Sequence, residues 1–224
     1  MRKLRFEKGS RYHLRNSGSG GQLIFQSDAD RARFLFLLIY FQGERSMRHV
    51  TEHVARYQRA GTFRIRKSTE ADIISRRNVE LMAFTLMPGY FELLVEARSA
   101  AGVSEYMHAV QVAYTKYFNA RYRREGHLFR GPFTALPVAD AKCALYLSAH
   151  LHRKVRELPE WRSRTLEYPF ASYGDYVQKN RFGELLRPET ILSSLPSGTE
   201  YRKFVEHASG KELASVLPAA HFFK

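Results

Sequence analysis

The alternation of apolar and polar positions predicts a short strand and then a helix at the start of the chain. Residues 11–15 have β-prone character and lead into a glycine- and serine-rich turn at residues 17–21. A broad apolar stripe with helical spacing follows and extends to Phe41. We expect Asp28 to be the N-cap of this helix, because its side chain suits the positive end of the helix dipole.

Two apolar runs, at residues 79–86 and 90–95, predict a pair of central strands joined by a turn at Pro88 and Gly89. Further along, the pattern predicts a helix, a strand and a second helix at residues 103–118, 134–138 and 139–154. The order is that of a ferredoxin-like α+β sandwich, the split βαβ pattern, with an antiparallel sheet, helices on one face and an added helix.

The domain organisation follows from these elements. Residues 1–155 form one predicted domain, interrupted at residues 44–77 by a basic surface excursion with some local helix. Residues 156–224 form a predicted C-terminal extension rich in Pro, Trp and Tyr, with enough apolar surface to dock on the domain.

Charge adds the first functional indication, since the net charge is +14 with 36 Lys and Arg against 22 Asp and Glu. Such an excess repels itself unless a polyanion neutralises it, and it favours nucleic acid as the partner over a surface that is basic only for solubility. No apolar run is long enough to cross a membrane, and no hydrophobic segment follows the basic N-terminus as in a signal peptide. The single Cys143 excludes an internal disulfide and fits a reducing cytoplasm.

Four separated blocks resemble one family, the transposases of the insertion-sequence-200 type and especially the REP-associated tyrosine transposases. The blocks are YHLRN at 12–16 with IF at 24–25 and DADRARFL at 28–35, AFTLMPGYFELL at 83–94, YTKYFNARY at 114–122 with GHLFRGPF at 126–133, and LSAHLHRK at 147–154. The YPFASY segment at 168–173 extends the likeness into the tail. Their order matches that of the family.

The resemblance implies a dimeric protein that recognises hairpin or single-stranded DNA ends. It also implies HUH chemistry: two strand histidines hold a divalent metal on the scissile phosphate, and a helix tyrosine attacks the phosphorus. At those positions this sequence has Tyr90 and Glu92 in place of the histidines, His150 in place of the tyrosine, and Lys154 in place of a later asparagine. The resemblance therefore predicts a protein that binds DNA but has lost strand cleavage.

Several interpretations of the replaced residues stay open. Glu92 could bind a hard cation such as Mg²⁺, whereas neutral Tyr90 is a poor ligand. Lys154 could neutralise the phosphate where the metal would lie, or simply face solvent. Tyr146, on the same helix face as His150, could be a displaced nucleophile with His150 as its base, although we favour a packing role. We expect no cofactor, or Mg or Mn if activity remains.

The predicted DNA-binding residues are basic side chains interleaved with aromatic ones. Arginine suits phosphate contacts and aromatic rings suit stacking on unpaired bases, although we expect Phe129 and Phe133 to be core residues. The predicted set is His13, Arg15, Asn16, Arg121, Arg123, Arg124, His127 and Arg130. Two alternatives to a non-cleaving DNA-binding protein remain: a transposase that nicks and joins DNA with a rearranged site, and an RNA-hairpin-binding module.

Overall fold

The computed structural model describes residues 4–43, 50–61, 63–195 and 197–222. Within them one four-stranded sheet forms in the order β2-β3-β1-β4, and every neighbouring pair is antiparallel. The strands are β1 (Arg11–Ser17), β2 (Val79–Met87), β3 (Tyr90–Ala97) and β4 (Thr134–Val138). The α+β class is thereby confirmed, and the strands pair as the apolar runs predict.

The helices of the first 155 residues are α1 (Asp28–Tyr40), α2 (Val50–Ala60), α3 (Lys67–Ser75), α4 (Gly102–Tyr122) and α5 (Ala141–Arg153). Helices α1 and α4 cover one face of the sheet, where the rings of Phe34 and Phe91 lie 4.9 Å apart and those of Phe34 and Tyr114 also 4.9 Å. The Tyr106 hydroxyl on α4 donates to the Leu38 carbonyl on α1 at 2.9 Å. These large buried rings stabilise the core by removing apolar area from water.

Helix α5 covers the opposite face, together with tail helices α6 (Tyr173–Val177), α7 (Glu189–Leu192), α8 (Gly198–His207) and α9 (Gly210–Val216). The hydroxyl of Thr85 on β2 donates to the Leu151 carbonyl of α5 at 2.9 Å. Buried His152 on α5 bonds the Ser172 hydroxyl at 2.8 Å and the Tyr201 hydroxyl at 2.7 Å. The tail therefore packs on α5 through a fully buried polar network as well as through apolar contacts.

Short 3-10 turns connect these elements, and three of them, Ser19–Gly21, Lys154–Glu157 and Ala219–His221, shape the site described below. The turns lie at Ser19–Gly21, Lys154–Glu157, Pro159–Trp161, Thr165–Glu167, Gly183–Leu185 and Ala219–His221. The glycine turn Ser19–Gly21 requires glycine at two positions, because Gly20 and Gly21 have φ of 63° and 78°. No helix in the described ranges has the length and apolarity needed to cross a bilayer.

Two local predictions need correction or restriction. The N-cap of α1 is Ser27 rather than Asp28, because Ser27 forms a capping box with Asp30 and Asp28 becomes the first helical residue. The predicted basic excursion contains α2 and α3, and α2 packs on α1 through the edge-on rings of Tyr57 and Phe36, 5.9 Å apart. Residues 44–49, with Arg45 and Arg48, lie outside the described residues.

Candidate functional site

The residues that the resemblance aligns with the family's catalytic positions lie on or beside the face of the sheet that α5 covers. Glu92 on β3 and His13 on β1 share this face, and His13 Nε2 is 3.1 Å from Glu92 Oε2 with both side chains fully buried. His150 points from α5 toward this face of the sheet, and its Nε2 lies 4.0 Å from the same carboxylate oxygen. A carboxylate on a central strand thus lies between two histidines.

The 3-10 turn Ala219–His221, which we call the C-terminal turn, packs against this arrangement and covers it. His221 Nδ1 lies 3.1 Å from His13 Nδ1, and the two rings stack with centroids 5.3 Å apart. The Phe222 ring packs edge-on against His150 at 4.9 Å. We call His13, Glu92, His150 and His221 the histidine–glutamate cluster, and none of its four side chains is exposed to an extent that would admit a nucleic acid.

The charge states in the cluster follow from burial and hydrogen bonding. Burial alone would raise the pKa of Glu92, but the hydrogen bond and charge of His13, with His150 and Lys154, lower it below its ordinary value. An ionised Glu92 only accepts, so His13 Nε2–H donates to it, whereas the donor between His13 Nδ1 and His221 Nδ1 depends on the tautomers of the two rings. Burial lowers the pKa of both His150 and His221 to about 4, against an opposing effect of Glu92.

Tyr90 and Lys154 share a carboxylate outside the cluster. The Tyr90 hydroxyl donates to Glu157 Oε2 at 3.0 Å, and Lys154 Nζ lies 3.1 Å from Glu157 Oε1. Burial, and then the negative charges of Glu157 and Glu92, raise the pKa of Tyr90 well above its usual value. A phenol whose pKa is raised is a poor nucleophile, because little phenolate forms near neutral pH.

Tyr146 lies away from the cluster. Its ring packs edge-on against Phe204 of α8 at 5.0 Å, and its hydroxyl donates to Glu212 of α9 at 3.4 Å. No hydrogen bond joins Tyr146 to His150 among the described residues, so the arrangement in which His150 deprotonates Tyr146 is not formed here.

The residues at the family's metal positions do not suit a divalent cation. Tyr90 is a neutral donor whose hydroxyl is engaged by Glu157, and one oxygen of Glu92 is engaged by His13. The second oxygen, Oε1, is buried and has no hydrogen-bond partner among the described residues, but one carboxylate oxygen is not a metal site. Across the described ranges, no group of three or more His, Cys, Asp or Glu side chains is arranged to hold a metal.

The predicted DNA-binding residues from Arg121 onward lie at the end of α4 and in the loop that follows it. We call residues 121–133 the arginine loop, although its first two residues form the end of α4. Its backbone bonds the glycine turn and the end of β1, since Ser19 N donates to Leu128 O at 2.9 Å and Arg130 N donates to Ser17 O at 2.8 Å. Asn119 Nδ2 also donates to Gly126 O at 2.9 Å. Phe129 and Phe133 are buried, as predicted, and anchor the loop in the core.

The basic side chains of the arginine loop divide into two groups. Arg121 and Arg124 contact other side chains of the protein. The Arg121 guanidinium is 3.6 Å from the buried carboxylate of Asp30, and that of Arg124 lies over the Phe118 ring at 5.6 Å. Arg123, His127 and Arg130 are exposed, and none of them forms an ion pair within the part of the chain that the structure describes. These three side chains are positioned to meet an anionic partner.

Two open pockets meet at Arg130. One, of about 440 Å³, is lined by the glycine turn, Gly89, Tyr90 and Arg130, and the other, of about 570 Å³, also contains Arg15, Pro132 and Phe222. Ser17 and Arg130 line both pockets, so together the pockets form a continuous groove along the ends of β1 and β4. Arg15 lies in this groove, and its Nη1 donates to the His221 carbonyl at 3.4 Å.

The structure corrects the prediction for His13 and refines that for Asn16. His13 was predicted to line the DNA groove, but its side chain points to the α5 face and is fully buried. Asn16 points to the other face of β1, where its Nδ2 donates to Gly131 O at 3.0 Å and holds the arginine loop in place. The alternation of side chains along a strand places these two residues on opposite faces.

Sequence reasoning missed three residues that complete the site. His221 and Phe222 close the cluster, and Glu157 bonds both Tyr90 and Lys154. Their separation along the chain gave no pattern to recognise. The only sequence signal was the aromatic character of the chain end, where two phenylalanines follow His221.

Comparison with known proteins places this geometry in context. Residues 52–147, from α2 into α5, match the family model described as "Transposase IS200 like". This match includes Tyr90, Glu92 and the arginine loop, whereas His13, His150 and Lys154 lie outside it. The match confirms the resemblance drawn from the sequence blocks. No curated protein sequence matches the chain.

A solved structure has a similar fold. It is described as a REP-associated tyrosine transposase bound to a REP hairpin, and it superposes with a TM-score of 0.52 over 81% of this chain and 86% of that chain. The sequence identity is 9%, so the likeness concerns the fold.

Proposed function

Because the chain resembles the IS200-like transposases in sequence and a REP-associated tyrosine transposase in fold, we propose that it is a DNA-binding protein of this type that recognises hairpin or single-stranded DNA ends without cleaving them. The DNA lies along the groove between Arg15 and Arg130 and contacts the exposed part of the arginine loop. The relative with a similar fold is described with a REP hairpin bound, which supports this choice of ligand.

One observation supports the absence of cleavage more than any other. The positions that the resemblance aligns with the family's metal ligands and nucleophile are occupied by side chains engaged within the protein: Glu92 bonds His13, Tyr90 bonds Glu157, and the His150 ring packs against Phe222. A phosphodiester would have to displace His221 and Phe222 to reach Glu92 or His150. The cationic side chains, in contrast, face solvent on the arginine loop.

The net charge of +14 supports a polyanionic ligand along the groove. Phosphate contacts by Lys and Arg release condensed counterions, so binding should weaken steeply as salt is raised. The aromatic side chains of the arginine loop are mostly buried, so stacking is limited to partly exposed rings such as Tyr90 and Tyr122.

The test is incubation of the full chain with hairpin and single-stranded oligonucleotides in Mg²⁺ and in Mn²⁺, with binding and covalent capture measured in parallel. We expect salt-sensitive binding and no covalent protein–DNA adduct. An adduct that disappears in Tyr146→Phe or Tyr90→Phe would overturn the non-cleaving function. Tighter binding to a matched RNA hairpin at the same salt would favour the RNA-binding alternative.

Three further parts of the proposal rest on the resemblance or the sequence. We propose that the chain forms a homodimer, which the mass measured by light scattering at micromolar concentration would test. We also propose that residues 1–155 bind the DNA while residues 156–224 cover α5, and that the protein acts in a reducing cytoplasm. Since Ala219, Ala220 and Phe222 line part of the groove, loss of DNA binding on alteration of the tail surface away from these three residues would contradict this division.

A further inference from the structure

The basic excursion at residues 44–77 is a feature of the sequence that the groove does not use. Its described residues from 50 to 77 hold seven Lys or Arg against three Asp or Glu. Five of these cations are exposed, and none of the five forms an ion pair within the part of the chain that the structure describes. We call them the second basic surface; they are Arg56, Arg59, Arg64, Arg66 and Lys67.

Helix α2 carries two of these arginines on its outer side. Val54 and Tyr57 are buried, and the Tyr57 ring packs edge-on against Phe36 of α1. Because successive residues of a helix are rotated by about 100°, Arg56 and Arg59 lie on the side of α2 opposite to this buried pair. The apolar side of α2 is therefore used in packing, and its cationic side faces solvent.

The segment after α2 directs further cations to the surface. Exposure alternates along residues 63–66, since Phe63 and Ile65 pack on the core while the two arginines of the segment are exposed. The Phe63 ring lies 4.8 Å from the Phe182 ring of the tail. Lys67, also exposed, begins α3. These contacts fix the backbone of the segment before a ligand binds, which reduces the loss of freedom on binding.

The excursion joins the sheet at the end away from the groove. Helix α3 leads into β2, whose first residue Val79 pairs with Ala97 at the end of β3. The groove lies at the other end, where Ser17 pairs with Tyr90 at the start of β3. A strand rises about 3.3 Å per residue, so the two ends of β3 are roughly 23 Å apart. None of the five cations lines either pocket of the groove.

The chemistry of the second basic surface fits the phosphates of a duplex. Four of its five cations are arginines, whose planar guanidinium can pair with a phosphate through two hydrogen bonds. The large apolar side chains that are exposed in the described ranges, Leu23 and Val112, lie outside the excursion, so this surface has no apolar face to insert into a membrane. No aromatic side chain in the described part of the excursion is exposed for stacking on a base. A duplex also carries about twice as many phosphates per unit length as a single strand.

We propose that the second basic surface binds the phosphate backbone of a DNA duplex, independently of base sequence and separately from the groove. The inference goes beyond the proposed function, because it requires neither a hairpin nor unpaired bases. When the groove is occupied as well, one chain holds two segments of DNA.

The experiment measures binding of the full chain to a labelled blunt duplex of mixed sequence by fluorescence anisotropy at three salt concentrations. In the triple variant Arg56→Gln, Arg59→Gln and Arg64→Gln, the affinity should fall roughly thirtyfold and the slope of log affinity against log salt should decrease by about two to three. The double variant Arg66→Gln and Lys67→Gln should reduce the slope by about two. Because the double variant changes a separate part of the surface, the proposal stays testable even if the triple variant folds poorly by circular dichroism.

The charge-matched control removes three exposed cations from α8 and α9 by Arg202→Gln, Lys203→Gln and Lys211→Gln. We expect its salt slope to equal that of the wild type, and we expect Arg130→Ala in the groove to change duplex affinity less than twofold. Equal losses in the control and the triple variant, or no duplex binding by the wild type, would overturn the second basic surface. A loss in Arg130→Ala as large as in the triple variant would also overturn it, because the duplex would then lie in the groove.

Two further ligands separate this inference from the proposed function. Tighter binding of a matched RNA duplex at the same salt would overturn DNA as the ligand of the second basic surface. Absence of binding to any hairpin in the groove, with duplex binding that still depends on the second basic surface, would overturn the proposed function and leave this inference intact.

Discussion

The histidine–glutamate cluster and the arginine loop are both attached to the same four-stranded sheet, but the charged side chains are buried in the cluster and exposed in the loop. In the cluster, charged and polar side chains are removed from water, and the fully buried Glu92 and His13 bond each other. In the arginine loop, Arg123 and Arg130 are exposed, while the apolar side chains of the loop are buried. The difference teaches that titratable groups brought together in a fold can serve packing, whereas accessible charge is what a polyanion can meet.

Removal of the Glu92 carboxylate should give the largest change in stability. Glu92→Ala leaves the buried Nε2–H of His13 without an acceptor, so the free energy of unfolding should fall by about 3 kcal/mol. Urea denaturation followed by circular dichroism measures this. Glu96→Ala is the matched control, because Glu96 lies on the same strand and forms partly exposed ion pairs with Arg11 and Arg98; it should cost less than about 1 kcal/mol.

If the two variants lost the same stability, the cluster would contribute no more than a surface ion pair. The comparison between a buried and an exposed region would then not hold for stability.

The pH dependence of stability should also separate the buried region from the exposed one. Burial lowers the pKa of His152 from its ordinary value to about 3, so the unfolded chain binds a proton more readily than the folded one. The stabilising effect of neutral His152 is complete above the unfolded pKa, near 6.5, and is lost as the pH falls from there toward 3. The slope is about 1.4 kcal/mol per pH unit for this one group.

Denaturation of wild-type protein and of His152→Gln between pH 7 and pH 4 measures the contribution. The variant should show a shallower fall of the free energy of unfolding, because glutamine does not titrate. His127→Gln, on the exposed arginine loop, is the control for replacement of a histidine outside the buried network. Parallel slopes for wild type and His152→Gln would show that His152 does not remain neutral in the folded protein.

Much of the fold could be predicted from the sequence, because its elements follow from local pattern. The apolar runs at 79–86 and 90–95 gave β2 and β3, and the three- and four-residue spacing after Gly102 gave α4. The tail was different, since α6, α7 and α9 are too short to show a helical period, and the tail helices are stabilised by packing on α5 and on each other. A short helix that depends on tertiary contacts leaves no independent signal in the sequence.

The candidate site was predicted in its residue types but not in its contacts. Glu92 and His150 were singled out, yet nothing in the sequence indicated that His221 would bond His13 from 208 positions away. Periodicity placed His13 on a strand without saying which face would be covered. The face was decided by α5 and the C-terminal turn, whose docking depends on long-range packing and not on the sequence around His13.

Loss of an exposed arginine should change affinity and leave stability almost unaltered. Arg130→Ala should weaken hairpin binding about fivefold and reduce the slope of log affinity against log salt by about one, as expected for one lost phosphate contact. Its free energy of unfolding should change by less than about 0.5 kcal/mol, because the side chain is exposed. Anisotropy titrations at three salt concentrations measure the slope.

Arg202→Ala is the charge-matched control for Arg130→Ala, since Arg202 lies on α8 and pairs with Glu206. We expect its salt slope to equal that of the wild type. A reduction of the same size in both variants would mean that net charge, and not the position of Arg130 in the groove, determines the affinity.

The smallest effect is expected at Lys154, which lies between the two regions. Its ammonium is 3.1 Å from Glu157 and 6.0 Å from the centre of the Tyr90 ring, with 13% of its side chain exposed, so its charge is already balanced by a carboxylate. Lys154→Gln should therefore change DNA affinity less than twofold and stability by about 0.5 kcal/mol. A loss of affinity as large as that of Arg130→Ala would instead mean that Lys154 leaves Glu157 to neutralise a phosphate. In that case DNA reaches the position that the resemblance aligns with the family's metal. The groove that DNA occupies would then extend past Tyr90 toward the buried cluster.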